Sequence, residues 1–471
     1  MLIERKYMSK PNITTEEISA KDRRHTLHPW ADLATAPKKG DLVITKGSGY
    51  HVFDSNENRY LDGISGMWCV NIGYGNREMA EAIAKQVEEL VYYTPFGAMT
   101  NPLSAELAKV LAELAPGDLN RVQFTASGSG AVDSAIRFAH FYFNVIGKPE
   151  KKHIISRTES YHGSSYLTAS LSGKAVDRTY FHYMSDIVHH ISGPNLYRRD
   201  KAVSESEYCL QLVDEFEQKV LELGPERVAC FIAEPIMGSG GVLLPPAGYH
   251  KAMKQICDKY GILYILDEVV TGFCRLGHFF SAEEVWGIIP DLITCAKGIT
   301  SGYQPMGAVI ISDKLFDRIS GNNAPEAAYF TNGYTYSGHP VACAAALKNI
   351  EIMKRDKLRE HVREIGPYFI EQLKTLEQYD IVGETRGSHL MACVECNISG
   401  NMVAAEEKDM VAAQTVDQFC EQQGLIVRPY EALLILSPPL IIDRAGIDEI
   451  VTILARSIEN ATEVLQSQGL I

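Results

Sequence analysis

Basic residues are scarce in this sequence, and nowhere do they cluster. Its 45 lysine and arginine residues are outnumbered by 59 aspartate and glutamate residues, which gives a formal net charge of −14. Surfaces that bind nucleic acid or anionic membranes need grouped basic side chains to neutralise phosphates. The composition therefore argues against both partners and favours a protein that acts on small molecules.

Long hydrophobic runs are also missing. No uninterrupted apolar stretch approaches the roughly 20 residues that span a bilayer. Residues 1–6 already carry charges where a secretion signal would need apolar side chains. We therefore expect a cytoplasmic protein that does not associate with membranes.

The ten cysteines do not form the pattern of a disulfide framework. They are scattered, and Cys230, Cys295 and Cys393 lie inside apolar runs, which is typical of reduced core thiols. Cys393 and Cys396 have the spacing of a metal-binding pair, but positions three apart in a strand face opposite sides. We expect neither disulfides nor a metal site.

The remaining composition is that of a globular protein, with 46% hydrophobic and 22% charged residues in 471. A chain of this length is too long for a single small hydrophobic core, so we expect two domains or one large domain with a smaller one. Helical and strand-like patterns alternate from about residue 78 onward, which indicates a mostly parallel sheet covered by helices. We predict an α/β fold with an arm and part of a small α+β domain at 1–75, a large domain at 76–345, and the rest of the small domain at 346–471.

Four local patterns outside the central alternation have simple interpretations. Residues 1 to about 40 are polar and contain prolines, so we predict an arm or loop there. Residues 344–376 predict a long helical stretch, and 387–394 a strand. The last helix is predicted to begin near Ile447.

Two ionisable residues each close a short, largely apolar run. Asp267 follows 262–266, and Lys297 follows 292–296. Such runs are typical of strands buried on both faces, so each side chain would stand at a strand end. A carboxylate that keeps a pyridine nitrogen protonated and an amine that forms an imine are what pyridoxal phosphate requires. Either residue alone could be a loop anchor or a solvated side chain.

Three other features point to the same edge of the sheet. Residues 125–130 are small and join a strand to a helix, so an anion could approach the helix N-terminus there. Tyr161 could stack on a flat ring, and Glu234 ends another strand. Ligands bind at this edge of open parallel sheets. Asp133 replaces the third glycine of the dinucleotide fingerprint, which disfavours a nicotinamide enzyme.

Six short motifs of small, aromatic and ionisable residues occur in this order: Ser127-Gly128-Ser129, Tyr161-His162-Gly163, Ala233-Glu234-Pro235, Leu266-Asp267-Glu268-Val269 with Thr271-Gly272-Phe273, Ala296-Lys297-Gly298 and Thr335-Tyr336-Ser337-Gly338-His339-Pro340. This ordered set resembles the class III pyridoxal-phosphate aminotransferases of fold type I, and within them the amine:pyruvate, or omega, transaminases. The similarity runs from about Trp30 to the C-terminus.

The resemblance implies pyridoxal 5′-phosphate as cofactor and assigns two catalytic residues. Lys297 would bind the cofactor covalently and move the proton between substrate and cofactor C4′, while Asp267 would pair with the pyridinium nitrogen. Tyr161 and Val269 would pack on the two ring faces, and Thr335 would reach the phosphate of the neighbouring subunit. A homodimer, or a tetramer built from dimers, is therefore implied. The further cofactor contacts implied are Gly128, Ser129, Gly130, His162, Glu234 and Tyr334.

On the substrate side, the resemblance implies a pocket lined by Trp68, Phe96 and Tyr161. Arg428 would be a mobile arginine whose guanidinium binds the keto-acid carboxylate. The implied reaction moves an amino group from a primary amine or omega-amino compound to pyruvate by a ping-pong mechanism, giving alanine. A 4-aminobutyrate:2-oxoglutarate transaminase, an aminomutase, a decarboxylase and a non-catalytic protein of this fold are alternatives.

The sequence departs from the family pattern beside the phosphate. Gly130 and Val132 stand where the family usually has glutamate and asparagine, and Asn332 replaces the commoner histidine before Gly333. A carboxylate and an amide are therefore expected to be missing next to the cofactor. Phosphate contacts through backbone N–H groups should survive.

Overall fold

The computed structural model describes residues 13–34, 42–326 and 328–471. The strands in these ranges are β1 (Ile44–Ser48), β2 (His51–Asp54), β3 (Arg59–Asp62), β4 (Leu119–Thr125), β5 (His153–Arg157), β6 (Val188–Ile191), β7 (Val228–Ala233), β8 (Leu263–Asp267), β9 (Leu292–Cys295), β10 (Gly307–Ser312), β11 (Val382–Ser388), β12 (Met391–Cys396), β13 (Leu425–Ile426), β14 (Arg428–Tyr430) and β15 (Leu433–Leu436).

The α-helices in the same ranges are α1 (Thr15–His25), α2 (Ser65–Trp68), α3 (Arg77–Glu89), α4 (Pro102–Leu114), α5 (Gly128–Val145), α6 (Tyr166–Leu171), α7 (Glu205–Leu223), α8 (Tyr249–Tyr260), α9 (Asp313–Asp317), α10 (Pro340–Arg355), α11 (Leu358–Lys374), α12 (Glu407–Gln422) and α13 (Arg444–Ser467). Within the described ranges, none of them has the length and hydropathy needed to cross a bilayer.

A seven-stranded sheet forms the centre of the fold, in the order β4-β10-β9-β8-β7-β5-β6. Neighbours from β9 to β6 run parallel, and only β10 is antiparallel to the strands on both of its sides. The successive residues Phe231 and Ile232 belong to separate apolar clusters, so both faces of the sheet are covered. The prediction of a mostly parallel sheet covered by helices is confirmed.

Two four-stranded sheets lie outside the central one, ordered β1-β2-β3-β13 and β11-β12-β15-β14. In the first, Leu425 of β13 pairs in parallel with Leu61 of β3. Chain segments that precede and follow the strands of the central sheet in sequence therefore pair in one outer sheet. This pairing supports a second unit built from both segments, whereas the domain limits 1–75, 76–345 and 346–471 stay a prediction.

The prediction of an arm or loop over residues 1 to about 40 is wrong for residues 15–25, which form α1, while residues 1–12 and 35–40 lie outside the described residues. The Thr14 side chain accepts a hydrogen bond from Glu17 N, and the Glu17 side chain accepts one from Thr14 N. This capping box satisfies N–H groups that the first turn leaves without partners. Only Ser19 of α1 is buried, so no apolar periodicity marks the helix in the sequence.

Two further local predictions need correction. The stretch 344–376 is broken at Lys357, whose φ of 51° is left-handed and separates α10 from α11. The single strand expected over 387–394 is a hairpin of β11 and β12, which turns at His389 with φ 53°. The last helix forms as predicted, but it begins at Arg444 because Asp443 caps it.

Candidate active site

A cavity of about 400 Å³ opens where the central strands end. Its walls come from the segments that follow β4, β5, β7, β8 and β9, which meet at one edge of the sheet. This volume is in the usual range for small-molecule sites. The topology therefore brings the predicted strand-end residues together.

Asp267 is the last residue of β8 and is only 4% exposed. Its Oδ2 lies 2.7 Å from Nδ1 of His162. Its Oδ1 accepts hydrogen bonds from Val269 N and Thr294 Oγ1, both at 3.1 Å. The carboxylate is thus held in one orientation by three groups.

His162 connects Asp267 to the loop after β5. Its side chain is buried and its backbone N–H donates to Ser172 Oγ at 3.0 Å. The Nε2 atom is buried and has no hydrogen-bond partner among the described residues. The ring therefore has only one polar contact, and that contact is the Asp267 carboxylate.

Lys297 follows β9, the strand that pairs with β8, and its side chain lines the cavity. Its backbone is left-handed, with φ 46°. Such a conformation costs a residue with a side chain about 1–3 kcal/mol and is common at functional sites. Burial lowers the pKa of the Lys297 ammonium, while Asp267, Cys69 and Glu234 act in the opposite direction. The neutral amine is thereby more accessible than in a solvated lysine.

The start of α5 forms a cradle for an anion. Ser127 caps the helix by accepting from Gly130 N at 3.0 Å, and the first-turn N–H groups of a helix have no intrahelical partners. A Cβ on Gly128 would meet Val269 Cγ1 at 3.0 Å, and one on Gly163 would meet Ser129 Oγ at 2.5 Å. Glycine at these two positions therefore lets the neighbouring loops reach the helix N-terminus.

Glu234 and Tyr161 complete the cavity wall. Glu234 Oε1 accepts from Tyr161 N at 3.2 Å, and Oε2 accepts from Gly238 N at 2.9 Å. The Tyr161 hydroxyl lies 2.9 Å from Ser164 Oγ, and its ring meets Trp30 edge-on at 5.8 Å between centroids. Glu234 thus orders the loop that places the tyrosine ring in the cavity.

The other predicted substrate residues do not line the cavity in the described part of this chain. Trp68 is buried in an apolar cluster that includes Ile236, a cavity residue. Phe96 is 46% exposed and faces outward. Arg428 is half-buried at the start of β14, the edge strand of the third sheet.

Three predicted cofactor residues, Gly130, Tyr334 and Thr335, do not line the cavity of their own chain. The Tyr334 hydroxyl donates to the carbonyl of Gly130 at 3.3 Å. Thr335 is exposed, and its carbonyl accepts from the Tyr92 hydroxyl at 2.6 Å. Of the residues replacing the family's usual pair, Val132 is fully buried in the core behind α5. Position 132 therefore contributes packing in this chain.

Sequence reasoning missed a hydrogen-bond partner of Asp267 and two residues that line the cavity. Thr294 belongs to the largely apolar run before Lys297, and only the register that places it opposite Asp267 reveals its role. Met67 and Cys69 flank Trp68 in sequence and line the cavity in its place. No local signal distinguishes these side chains from ordinary core residues.

A planar, phosphorylated pyridine cofactor fits these residues. The N-terminus of α5 with its two tight glycine contacts suits a phosphate. The fixed Asp267 carboxylate suits a pyridinium nitrogen, and the Lys297 amine suits an aldehyde. Gly128, Ser129, Tyr161, His162, Glu234, Asp267, Val269 and Lys297 all line the cavity.

Known proteins resemble this chain over nearly its whole length. Residues 34–458 match the family described as Aminotransferase class-III. A putrescine–pyruvate aminotransferase of Pseudomonas aeruginosa is 39% identical over 95% of this chain and 97% of its own length. A chloroplastic gamma aminobutyrate transaminase of Solanum lycopersicum is 38% identical over 91% of this chain and 83% of its own length. A solved (S)-enantioselective omega-transaminase from Thermomicrobium roseum is 38% identical, with a TM-score of 0.91 over 95% and 98% of the two chains.

Proposed function

Because this chain belongs to the class-III aminotransferase family, whose members depend on pyridoxal 5′-phosphate, we propose that it moves an amino group from a primary amine or omega-amino compound to pyruvate. The resemblance seen in the motifs and the expectation of fold type I are confirmed by the family match and the solved omega-transaminase. The observation that carries the proposal is the convergence of Asp267, Lys297 and the α5 N-terminus on one cavity.

When bound, pyridoxal 5′-phosphate supplies an aldehyde that carries the amino group and a ring that withdraws electrons. Lys297 would hold the aldehyde carbon through Nζ and then carry the proton between the substrate carbon and C4′. Its lowered pKa favours the neutral amine that these tasks require.

Asp267 would keep the pyridine nitrogen protonated, and His162 and Thr294 would keep the carboxylate pointing at it. The first turn of α5 would hold the phosphate, and Tyr161 and Val269 would contact the ring faces. The positions of Tyr161, Asp267 and Val269 around one cavity support these proposed roles.

The apolar walls of the cavity support an amine donor with a hydrophobic stem. Met67, Ile236, Val270 and Met306 line the cavity beside the ionisable residues. Arg428 is proposed to recognise the carboxylate of the keto acid, and Trp68, which packs with the cavity residue Ile236, is proposed to support the substrate pocket. Pyruvate is favoured as acceptor because the chain shares 39% identity with a putrescine–pyruvate aminotransferase.

We also propose a homodimer in which Thr335 and Phe96 reach the partner's cavity. The segment around Phe96 and the loop before α10 expose several large apolar side chains, which a monomer in water would rarely leave uncovered. These side chains are Val91, Tyr93, Phe96, Met99, Tyr329 and Tyr336. A cytoplasmic location is supported by the ten cysteines, all of which are free thiols.

A donor and acceptor panel tests the reaction. The holoenzyme is mixed with diamines, 4-aminobutyrate, other omega-amino acids and aryl amines, each with pyruvate or 2-oxoglutarate. Alanine formation should exceed glutamate formation with the best donor by at least about tenfold in kcat/KM. Preference for 2-oxoglutarate with 4-aminobutyrate would instead support the alternative function, that of a 4-aminobutyrate:2-oxoglutarate transaminase. One relative of this chain is named as a gamma aminobutyrate transaminase.

A further inference from the structure

A buried lysine that does not line the cavity, Lys174, lies between the loop after β7 and strand β14. Its side chain is 4% exposed and follows α6. Its ammonium donates to the carbonyl of Ser239 at 2.7 Å. The same Nζ stands 3.5 Å from the centroid of the Tyr430 ring, a close cation–π contact.

The two partners of Lys174 belong to segments with different tasks. Ser239 lies in the loop after β7, whose Gly238 N–H donates to the Glu234 carboxylate. Tyr430 is the last residue of β14, and Arg428 is the first. The lysine therefore links the loop that supports the cavity wall to the strand that carries the proposed carboxylate-binding arginine.

Helix α12 packs against β14, but among the described strands backbone pairing holds the strand on one side only. It is three residues long, it lies at the edge of its sheet, and it pairs only with β15. Pro429 has no N–H to donate to that ladder. Glu431, which follows the strand, has a left-handed backbone with φ 50°. The position of Arg428 therefore depends on side-chain contacts such as that of Tyr430.

Stability alone does not account for a lysine at this position. Burial lowers the pKa of Lys174 to about 8, against the favourable charges of Asp177, Glu234, Glu159 and Glu431. Removing an ammonium from water is costly, and an apolar side chain of similar volume would avoid that cost. What the lysine adds over such a side chain is the pair of directed contacts to Ser239 and Tyr430.

We propose that Lys174 is a positioning residue that holds the Arg428 strand against the loop after β7, through its contacts with Tyr430 and Ser239. Arg428 is then fixed where it can bind the keto-acid carboxylate. This inference rests on the proposed role of Arg428 in the reaction. It assigns no direct contact between Lys174 and substrate.

The test compares Lys174→Met with Lys174→Arg in single-turnover half-reactions of the holoenzyme. With pyruvate, Lys174→Met should lower the specificity constant about tenfold, mainly through a higher KM. With 1-phenylethylamine, whose tail is uncharged, the change should stay below about twofold. Lys174→Arg should recover most of the loss, because a guanidinium also stacks on tyrosine. Lys174→Met should melt no earlier than the unaltered enzyme, which separates positioning from folding.

The pH profile gives a second readout. Above about pH 8 the Lys174 ammonium loses its proton, so the pyruvate KM of the unaltered enzyme should rise. Tyr430 stays protonated over this range, since burial raises its pKa. Asp177, Glu159, Glu234 and Glu431 also face the ammonium. The rise should vanish in Lys174→Met, and its persistence there would assign the titration to another group and overturn the proposal.

A double variant separates the two hypotheses. Lys174→Met combined with Arg428→Ala should be no worse with pyruvate than Arg428→Ala alone, because the lysine acts through the arginine. If Arg428→Ala is impaired with pyruvate and Lys174→Met is not, only the positioning role of Lys174 is overturned. An unimpaired Arg428→Ala would overturn the carboxylate role of Arg428, and the positioning role with it.

Discussion

The residues proposed to hold the cofactor, here the cofactor end, and those proposed to bind the substrates, here the substrate rim, stand on different kinds of structure. Asp267 and Lys297 stand at the ends of two adjacent buried strands, and three groups orient the Asp267 carboxylate. Phe96 and Arg428 lie on an exposed loop and on a three-residue edge strand. The first region is fixed by the central sheet, and the second depends on peripheral contacts.

This difference matches two demands of the proposed reaction. Every turnover uses the same cofactor atoms, so the groups that touch them belong on rigid elements. The rim must accept an amine in one half-reaction and a keto acid in the other, and loops and edge strands tolerate such variation better. We therefore expect substitutions at the cofactor end to abolish both half-reactions, and substitutions at the rim to separate them.

The largest effect is expected at Lys297. Lys297→Ala should lower the rates of both half-reactions by at least about 10⁴-fold, because among the described residues no second lysine lines the cavity to move the proton. Rates with alanine and with pyruvate measure this loss, and absorbance measures retained cofactor. Borohydride reduction of the unaltered enzyme followed by peptide mapping should label Lys297. A label on another lysine would place the cofactor end elsewhere.

The next largest effect is expected for Asp267→Asn, which should reduce the rate constant of both half-reactions about 1,000-fold. The amide keeps the shape of the side chain but cannot supply the negative charge that holds a pyridinium proton. Thr294→Val is the matched control, since it removes only one of the hydrogen bonds to Asp267 and should cost less than about tenfold. Equal losses in the two variants would show that orientation matters and charge does not.

At the rim, Arg428→Ala should lower the pyruvate specificity constant by about 30-fold to 1,000-fold, the effect of losing about 2–4 kcal/mol from a bidentate contact. The half-reaction with an uncharged amine should change by less than about threefold. Single-turnover measurements separate the two. Equal losses in both half-reactions would make Arg428 structural and would remove the contrast between the two regions.

The smallest effect is expected at Thr335, which is exposed in its own chain and proposed to reach the partner's phosphate. Thr335→Ala should speed cofactor loss on dialysis about tenfold, as expected for one hydrogen bond to an anion. Thr331→Ala, on the same loop and also exposed, should retain cofactor. Sedimentation across dilution provides the decisive comparison, because a fully active, cofactor-loaded monomer would contradict a shared site.

Parts of the site could be predicted because their signals are local. An apolar run of strand length that ends in an ionisable residue identifies Asp267 and Lys297 without knowledge of the fold. Other parts could not, because their neighbours are remote in sequence. Thr294 becomes a partner of Asp267 only through the parallel register of β8 and β9. Trp68 and the cavity residue Met67 are adjacent in sequence, yet the backbone turns one into the core and the other toward the cavity.

The sequence by itself determined the alternation of strands and helices, the chemistry at the strand ends and the small residues at the start of α5. Each of these depends on the side chains of a few successive residues. Only the tertiary structure decided that β10 runs against its neighbours, that β13 joins β3, and that Tyr430 meets Lys174. Such contacts join residues tens to hundreds of positions apart, and the packing of the whole chain selects them.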